Sequence, residues 1–202
     1  MVDDAERSKD HFVDLDTRRA HTGDEASSWN AAMQRAAVPL SVYADGSRGF
    51  AGRLRADLIG GLRILTIKAD AQTVVRTPRL VSGEPEPAFY KFIFHMGGRC
   101  RVSQDDRVAD LEHRSLVIYD TTRPYRLEFL GPYTHYVLMV PRDVLGVAPE
   151  IIAALTAVPI SVGEGAARVL RRMVVGVGAD VQGLSERNRL TIAETLIELA
   201  TA

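Results

Sequence analysis

The chain has 202 residues, of which 46% are hydrophobic and 25% are charged, and its formal net charge is −1 at pH 7. This composition is typical of a globular protein with a sizeable core, and the near-neutral charge excludes a strongly basic nucleic-acid-binding domain. The single cysteine, Cys100, excludes an internal disulfide, and no apolar run is long enough for a membrane-spanning helix. A reducing cytoplasm fits this pattern.

The first part of the chain carries few large apolar residues. Residues 1–26 are polar and charged, which predicts a mobile N-terminal segment and excludes a secretory signal. Ser28, followed by Trp29 and the alanines before Met33, predicts a short helix with the serine as its N-cap.

Short apolar or alternating runs fill the middle of the chain, and turn-forming residues separate them every eight to ten residues. Such spacing indicates sequential antiparallel hairpins, as in a sandwich or barrel, and leaves no room for βαβ units. The predicted strands are residues 41–43, 50–57, 62–69, 73–80, 88–96, 99–103, 107–111, 115–119, 125–129 and 133–140.

After Pro141 the apolar residues recur at three- and four-residue spacings, which indicates helices. Two short helical turns are predicted at 143–147 and 149–155, and a longer helix at 164–181. Gly183 breaks that helix, Ser185 is the predicted N-cap of the next one, and the second long helix continues to the end of the sequence.

Several stretches in the barrel region, read in order, resemble the AraC/XylS-type transcription regulators, whose N-terminal half is a cupin-like effector-binding domain. They are residues 50–54, 61–70, 75–79, 104–107, 119–125 and 140–145. The resemblance implies a mainly β fold, a cupin-like antiparallel barrel (double-stranded jelly roll) followed by two C-terminal α-helices. The expected division is a mobile segment at 1–26, an effector-binding barrel at 27–145 and a helical dimerisation segment at 146–202.

Family members bind a small effector in the barrel, form homodimers through the trailing helices and contact DNA through two C-terminal helix-turn-helix motifs. After Asn188 this sequence has room for one helix, so those motifs are not in it. Either these residues are a piece cut at the linker from a longer regulator or the natural protein lacks that half, and we favour the first. The resemblance does not identify the effector.

Cupin barrels also serve metal-dependent enzymes, and this is the alternative reading. Such sites need converging imidazole and carboxylate donors, typically with a His-x-His pair. The five histidines, at positions 11, 21, 95, 113 and 135, form no such pair, and no nucleophile or phosphate-binding motif is present. We therefore expect no metal, no cofactor and no catalysis; a stand-alone partner-binding module is the remaining alternative.

The strand at 89–96 alternates Tyr90, Phe92, Phe94 and Met96 with a second set that contains Lys91. A central lysine favours the first set as the barrel interior, because charged side chains avoid apolar cores. We therefore predict that an effector pocket, apolar with a few polar anchors, is lined by Phe92, Phe94, Tyr136 and Leu138, with Arg63 or Arg101 pairing an effector carboxylate. The alternative is that these aromatics only fill the barrel.

The two long helices carry more apolar surface than one barrel edge is expected to cover. Part of it is predicted to pair with a second subunit around a two-fold axis, while packing on the barrel alone is the other reading. The predicted dimerisation residues are Val169, Leu170, Met173, Leu190, Ala193, Leu196 and Ile197.

Overall fold

A computed structural model describes residues 11–19, 23–44, 49–83 and 87–202. Twelve strands alternate with five helices in these ranges. In chain order the elements are β1 (His11–Asp16), α1 (Glu25–Ala36), β2 (Ser41–Ala44), β3 (Gly52–Ile59), β4 (Leu62–Ala69), β5 (Gln72–Arg76), α2 (Pro78–Val81), β6 (Phe89–Gly97), β7 (Cys100–Gln104), β8 (Arg107–Leu111), β9 (Ser115–Asp120), β10 (Tyr125–Phe129), β11 (Tyr133–Pro141), α3 (Pro149–Leu155), β12 (Ile160–Ser161), α4 (Gly165–Asp180) and α5 (Glu186–Thr201).

The strands form two antiparallel sheets. The larger sheet has seven strands in the order β1-β3-β4-β11-β6-β9-β12, and the smaller sheet has five in the order β2-β5-β10-β7-β8. Apolar side chains of both sheets, such as Leu65 and Val137 from the larger and Leu127 from the smaller, belong to one buried cluster. The sheets therefore face each other across a shared core, and the predicted mainly β, cupin-like fold is confirmed.

The start of the chain contains a strand that the sequence analysis did not predict. The strand β1, within the segment 1–26 that was predicted to be mobile, pairs with β3, and Val13 and Thr17 are buried. Residues 1–10 and 20–22 of the predicted mobile segment are outside the described residues. The sequence analysis did not predict this strand because many charged residues surround the alternating residues at 11–16.

The helix α1 covers one side of the barrel core. It begins at Glu25 rather than at the predicted Ser28, whose backbone N–H donates to the Asp24 carbonyl at 2.9 Å. The indole of Trp29 is fully buried and donates to Gln72 Oε1 at 2.7 Å, which ties α1 to β5. This contact satisfies the one polar group of the tryptophan inside the core.

One predicted strand is shorter than expected. The run at 73–80 ends as a strand at Arg76, because Pro78 begins the short helix α2 and Thr77 caps it by accepting a hydrogen bond from the Leu80 N–H. Proline at the first helical position is a common helix start, since its missing N–H has no role there.

The helices α3, α4 and α5 cover the outer face of the seven-stranded sheet. A second buried cluster forms there between sheet residues, such as Phe92 and Leu138, and helix residues, such as Leu170 and Leu196. Ser185 caps α5 by accepting a hydrogen bond from the Asn188 N–H, as predicted. Among the described residues no helix is long and apolar enough to cross a membrane.

The turn between β3 and β4 lets α5 approach closely. Gly60 has a φ of +52°, and a Cβ there would lie 2.5 Å from the Cβ of Ala193. Its neighbour Gly61 has a φ of +85° but has nothing within 4 Å of its would-be Cβ. The two glycines therefore share a backbone requirement and differ in their contact with the helix.

We expect Gly60→Ala to lower the free energy of unfolding more than Gly61→Ala, measured by urea denaturation. Both changes cost about 1 kcal/mol for a left-handed backbone at a non-glycine residue. Gly60→Ala adds about 1–3 kcal/mol because the methyl group overpacks against α5. Equal losses for the two variants would contradict the packing of α5 on this turn.

Candidate functional site

A small cavity lies inside the barrel, between the two sheets. Its volume is about 30 Å³, which is room for one or two water molecules. Most of its wall is apolar and comes from both sheets, for example Leu65 and Ile93 from one and Val74 from the other; the loop after α1 adds Ala37 and Leu40. Concave apolar space with a few polar groups is typical of small-molecule sites.

The strand registers stack the interior residues in layers. In the middle layer Leu65, Val137, Ile93 and Val117 are paired across four neighbouring strands, and all are apolar. The two flanking layers contain polar groups, so the cavity is apolar at its centre and polar at both ends.

The first polar end is positively charged. Arg63, Met139, Lys91 and Tyr119 lie side by side across β4, β11, β6 and β9, and Tyr125 pairs with Arg76 on the opposite sheet. Lys91 and Arg76 are both buried. Positive side chains from two sheets thus meet at one end of the cavity.

Lys91 contacts aromatic residues in this layer. Its Nζ donates to the Tyr125 hydroxyl at 3.3 Å and lies 5.6 and 5.5 Å from the ring centroids of Tyr119 and Tyr125. Burial and, to a smaller extent, the nearby positive charges of Arg76 and Arg63 together lower the pKa of Lys91 to about 7. The buried position therefore disfavours the charged ammonium.

The two arginines of this layer hold the 37–40 segment, which follows α1, over the cavity. Arg63 Nη1 donates to the Ala37 carbonyl and Arg76 Nη1 donates to the Pro39 carbonyl. Arg76 Nε also donates to the Thr121 carbonyl at 2.9 Å, and the Arg63 guanidinium lies 4.7 Å from the centroid of the Phe89 ring. The segment is closed over the cavity by hydrogen bonds to side chains rather than by a strand pair.

The second polar end contains a histidine pair. His95 Nε2 lies 3.0 Å from the Gly98 carbonyl, which can only accept, so His95 Nδ1 is left to accept from His135 Nε2 at 2.7 Å. Both rings are buried, and burial lowers the pKa of each histidine below its usual value. A proton on His95 Nδ1 would remove the acceptor of this pair, so the pair is stable when neutral.

Metal and thiol chemistry have little geometric support in the described part of the chain. No group of three or more His, Cys, Asp or Glu side chains that could hold an ion occurs in residues 11–19, 23–44, 49–83 and 87–202. Cys100 is buried, and burial raises the pKa of its thiol, which keeps it protonated and unreactive.

The predicted pocket residues do not line this cavity. Phe92, Phe94, Tyr136 and Leu138 lie on the outer face of the larger sheet, packed in the cluster under α4 and α5. The prediction that they face the barrel interior is wrong, because the helices bury the outer face of β6, which therefore carries the apolar set. The lysine, which was expected outside, lies inside.

The two predicted arginines have different positions. Arg101 lies on an exposed face, where its Nε donates to Asp110 Oδ1 at 2.7 Å, and it does not line the cavity. Arg63 lies in the same layer as Lys91, beside the cavity. The sequence analysis missed Lys91 itself; the signal available was a lysine at the centre of a strand that is otherwise apolar.

The predicted dimerisation residues divide into two groups. Leu170, Ala193 and Leu196 are buried within the chain, and Met173 and Ile197 pack partly against the same cluster. Only Val169 and Leu190 are largely exposed, at 47% and 52%.

We expect the free energy of unfolding to fall as the pH drops below about 6.5. The unfolded histidines bind protons there, while the folded His95 and His135 resist protonation, so the slope approaches about 1.4 kcal/mol per pH unit for each histidine. Urea denaturation between about pH 7.5 and 5 measures it. Replacing both with Gln should flatten the slope, whereas His113→Gln, at an exposed turn, should retain most of it. An unchanged slope in the double variant would contradict the assignment.

Residues 29–202 match the AraC-binding-like domain family. The chain is 28% identical over 196 residues to a protein of Bacillus sp. (strain OxB-1), named only as an uncharacterised protein in the nit 5'region, which it covers to 73%. It is 27% identical over 195 residues to the transcriptional activator NphR of Rhodococcus sp., which it covers to 58%. These alignments include 93% and 95% of this chain.

Among solved structures, the AraC-like transcriptional activator CuxR superposes with a TM-score of 0.79 at 18% identity, over 94% of this chain and 69% of CuxR. At that identity the superposition shows a shared fold. The match of the domain family, in contrast, includes most of the sequence. The chain therefore belongs to the AraC-binding-like domain family.

Proposed function

We propose that this domain senses a small molecule in the barrel cavity and thereby controls a transcription regulator. The observation that carries the proposal is the apolar cavity between the two sheets, with polar groups at both ends. A relative that is 27% identical is named a transcriptional activator, and this chain spans 58% of it. DNA contact is assigned to sequence outside this domain, because a net charge of −1 gives the domain no attraction for phosphates.

The cavity has two routes by which a guest could alter the protein. The first is the 37–40 segment, which must move to admit anything larger than one or two water molecules, because it covers the space at the Lys91 end. Its arginine hydrogen bonds would break and re-form around the guest, so two arrangements of this segment differ in their affinity for the effector.

The second route is the larger sheet itself. Neighbouring residues of β11 serve opposite faces: Val137 lines the cavity, and Tyr136 lies under α4, where its Cδ1 is 3.7 Å from a would-be Cβ of Gly178. A displacement of β11 by a guest is therefore passed directly to α4. This shared sheet is the two-sided element through which effector binding would reposition the helices.

We further propose that α4 and α5 contact a second copy of the chain. Val169 and Leu190 are the exposed apolar residues of these helices, whereas Leu170 and Leu196 are already used for packing on the sheet. A two-fold interface would bury the same residues from both copies. Paired subunits suit operators with two half-sites.

A regulatory role is favoured over an enzymatic one because the family and the named relative are regulatory. The metal-dependent cupin enzyme has no donor cluster to support it in the residues that the structure describes. A cytoplasmic location is part of the proposal, since DNA is there.

We expect small apolar and aromatic molecules to stabilise the 202-residue chain in a thermal-shift panel. A ligand at about 100 times its Kd adds about 2.7 kcal/mol to the free energy of unfolding. Val137→Phe fills the middle of the cavity and should abolish the stabilisation, whereas Val108→Phe, at an exposed position, should preserve it. If no molecule of a broad panel stabilised the chain, or if Val137→Phe were stabilised as much as wild type, effector binding in the cavity would be contradicted.

We expect Val169→Asp and Leu190→Asp to weaken self-association, measured by sedimentation equilibrium. A carboxylate buried at an apolar two-fold contact costs several kcal/mol, and it occurs twice. Leu130→Asp is the control, because Leu130 is 64% exposed in the turn between β10 and β11, away from the helices. A monomeric wild-type chain, or equal weakening by all three changes, would overturn the helical interface.

A further inference from the structure

Among the residues that the structure describes, no carboxylate balances the buried Lys91. The described charged groups that act on it are Arg76 and Arg63, which are both positive. Its described polar contact is a neutral tyrosine hydroxyl, and the nearby rings only partly replace water. Burying an ammonium among positive groups is costly, so the position is poorly explained by stability alone.

The carboxylate next to Tyr119 in the chain is engaged elsewhere. Asp120 follows Tyr119, but its Oδ1 accepts from the Thr122 N–H at 2.8 Å and its Oδ2 lies 3.5 Å from Arg123 Nε. Its neighbour across the sheet is Tyr90, which lies on the outer face. Asp120 therefore stabilises the corner after β9 and does not face Lys91.

We propose that the effector is a small monocarboxylate with an apolar body, and that its carboxylate pairs with the Lys91 ammonium inside the barrel. This inference rests on the proposed function and names the class of molecule that the cavity takes. The anion supplies a counter-charge for Lys91, and the Tyr125 hydroxyl, 3.3 Å from Lys91 Nζ, is placed to donate to its second oxygen.

The body of the ligand lies toward the middle layer. Leu65, Ile93 and Val137 offer hydrocarbon there, and no charged group occurs among these three residues. A neutral analogue of the same shape would fill the same space but would leave Lys91 without a counter-charge. The preference for the anion over its amide is therefore the signature of this site.

Binding also changes the protonation of the domain. The anion raises the pKa of Lys91 above about 7, so the complex takes up protons at about pH 8. The other titratable groups that line the cavity stay fixed at that pH. Burial raises the pKa of Tyr119, Tyr125 and Tyr133, and burial lowers that of His135.

The experiment is titration calorimetry of the 202-residue chain with matched pairs: isobutyrate and isobutyramide, benzoate and benzamide, phenylacetate and phenylacetamide. Each pair is measured at about pH 8 in two buffers of different ionisation enthalpy, which gives the number of protons taken up. The variants are Lys91→Met and, as control, Lys68→Met at an exposed position of β4. Lys91→Met removes a buried charge, so at pH 7 it should melt at a higher temperature than wild type.

For at least one pair, we expect the carboxylate to bind about tenfold or more tightly than the amide, with proton uptake. Lys91→Met should lose both the preference and the uptake, and Lys68→Met should keep both. Equal or tighter binding of the amides overturns the inference and leaves the sensor role standing. Binding of no carboxylate also overturns it, and the neutral panel then decides the sensor role separately.

Discussion

The burial of the seven-stranded sheet on both faces is the constraint from which the other features follow. Its inner face closes the barrel core against the five-stranded sheet, and its outer face supports α4 and α5. Central strands with two buried faces must be apolar at nearly every position. A polar residue on such a strand has no exposed side to occupy, so Lys91, His95 and His135 are interior groups.

The same constraint couples the cavity to the helices. Alternate residues of β11 contact the cavity and α4. Because these contacts are closely packed, a displacement of β11 also displaces the residues under α4. The Gly60 turn adds a second fixed point, because α5 lies directly on it. A ligand bound in the barrel would therefore shift the helices through direct side-chain packing. This arrangement suits a sensor, whose output depends on where its helices are held.

The polar ends of the cavity destabilise the empty domain. A lysine whose pKa falls to about 7 and a histidine pair that must stay neutral both lower the free energy of unfolding as protons become available. Cores without such groups are more stable, and strained or unpaired polar residues are commonly kept where function needs them. A carboxylate guest would relieve the cost at the Lys91 end, so binding and stability are linked at one residue.

The sequence predicted the fold class because turn residues between short apolar runs determine hairpins locally, and most strands were correct within a few residues. Ser185 was identified as a cap for the same reason, since a helix start depends on adjacent residues. The site was harder to predict. Which residues of β6 face inward depends on whether helices cover its other face. That contact involves residues far apart in the sequence, so the local pattern does not reveal it. Alternation alone therefore placed Phe92 and Phe94 inside and Lys91 outside, which is the reverse of the structure.

Binding of a ligand between the two sheets is tested most directly by NMR on the chain with labelled methyl groups. The measurement is of nuclear Overhauser contacts from bound benzoate or phenylacetate. We expect contacts to the methyl groups of Leu65, Ile93 and Val137, on the inner face of the larger sheet. Contacts instead to Ile64, Leu138 or Leu196, on the outer face under the helices, would contradict it.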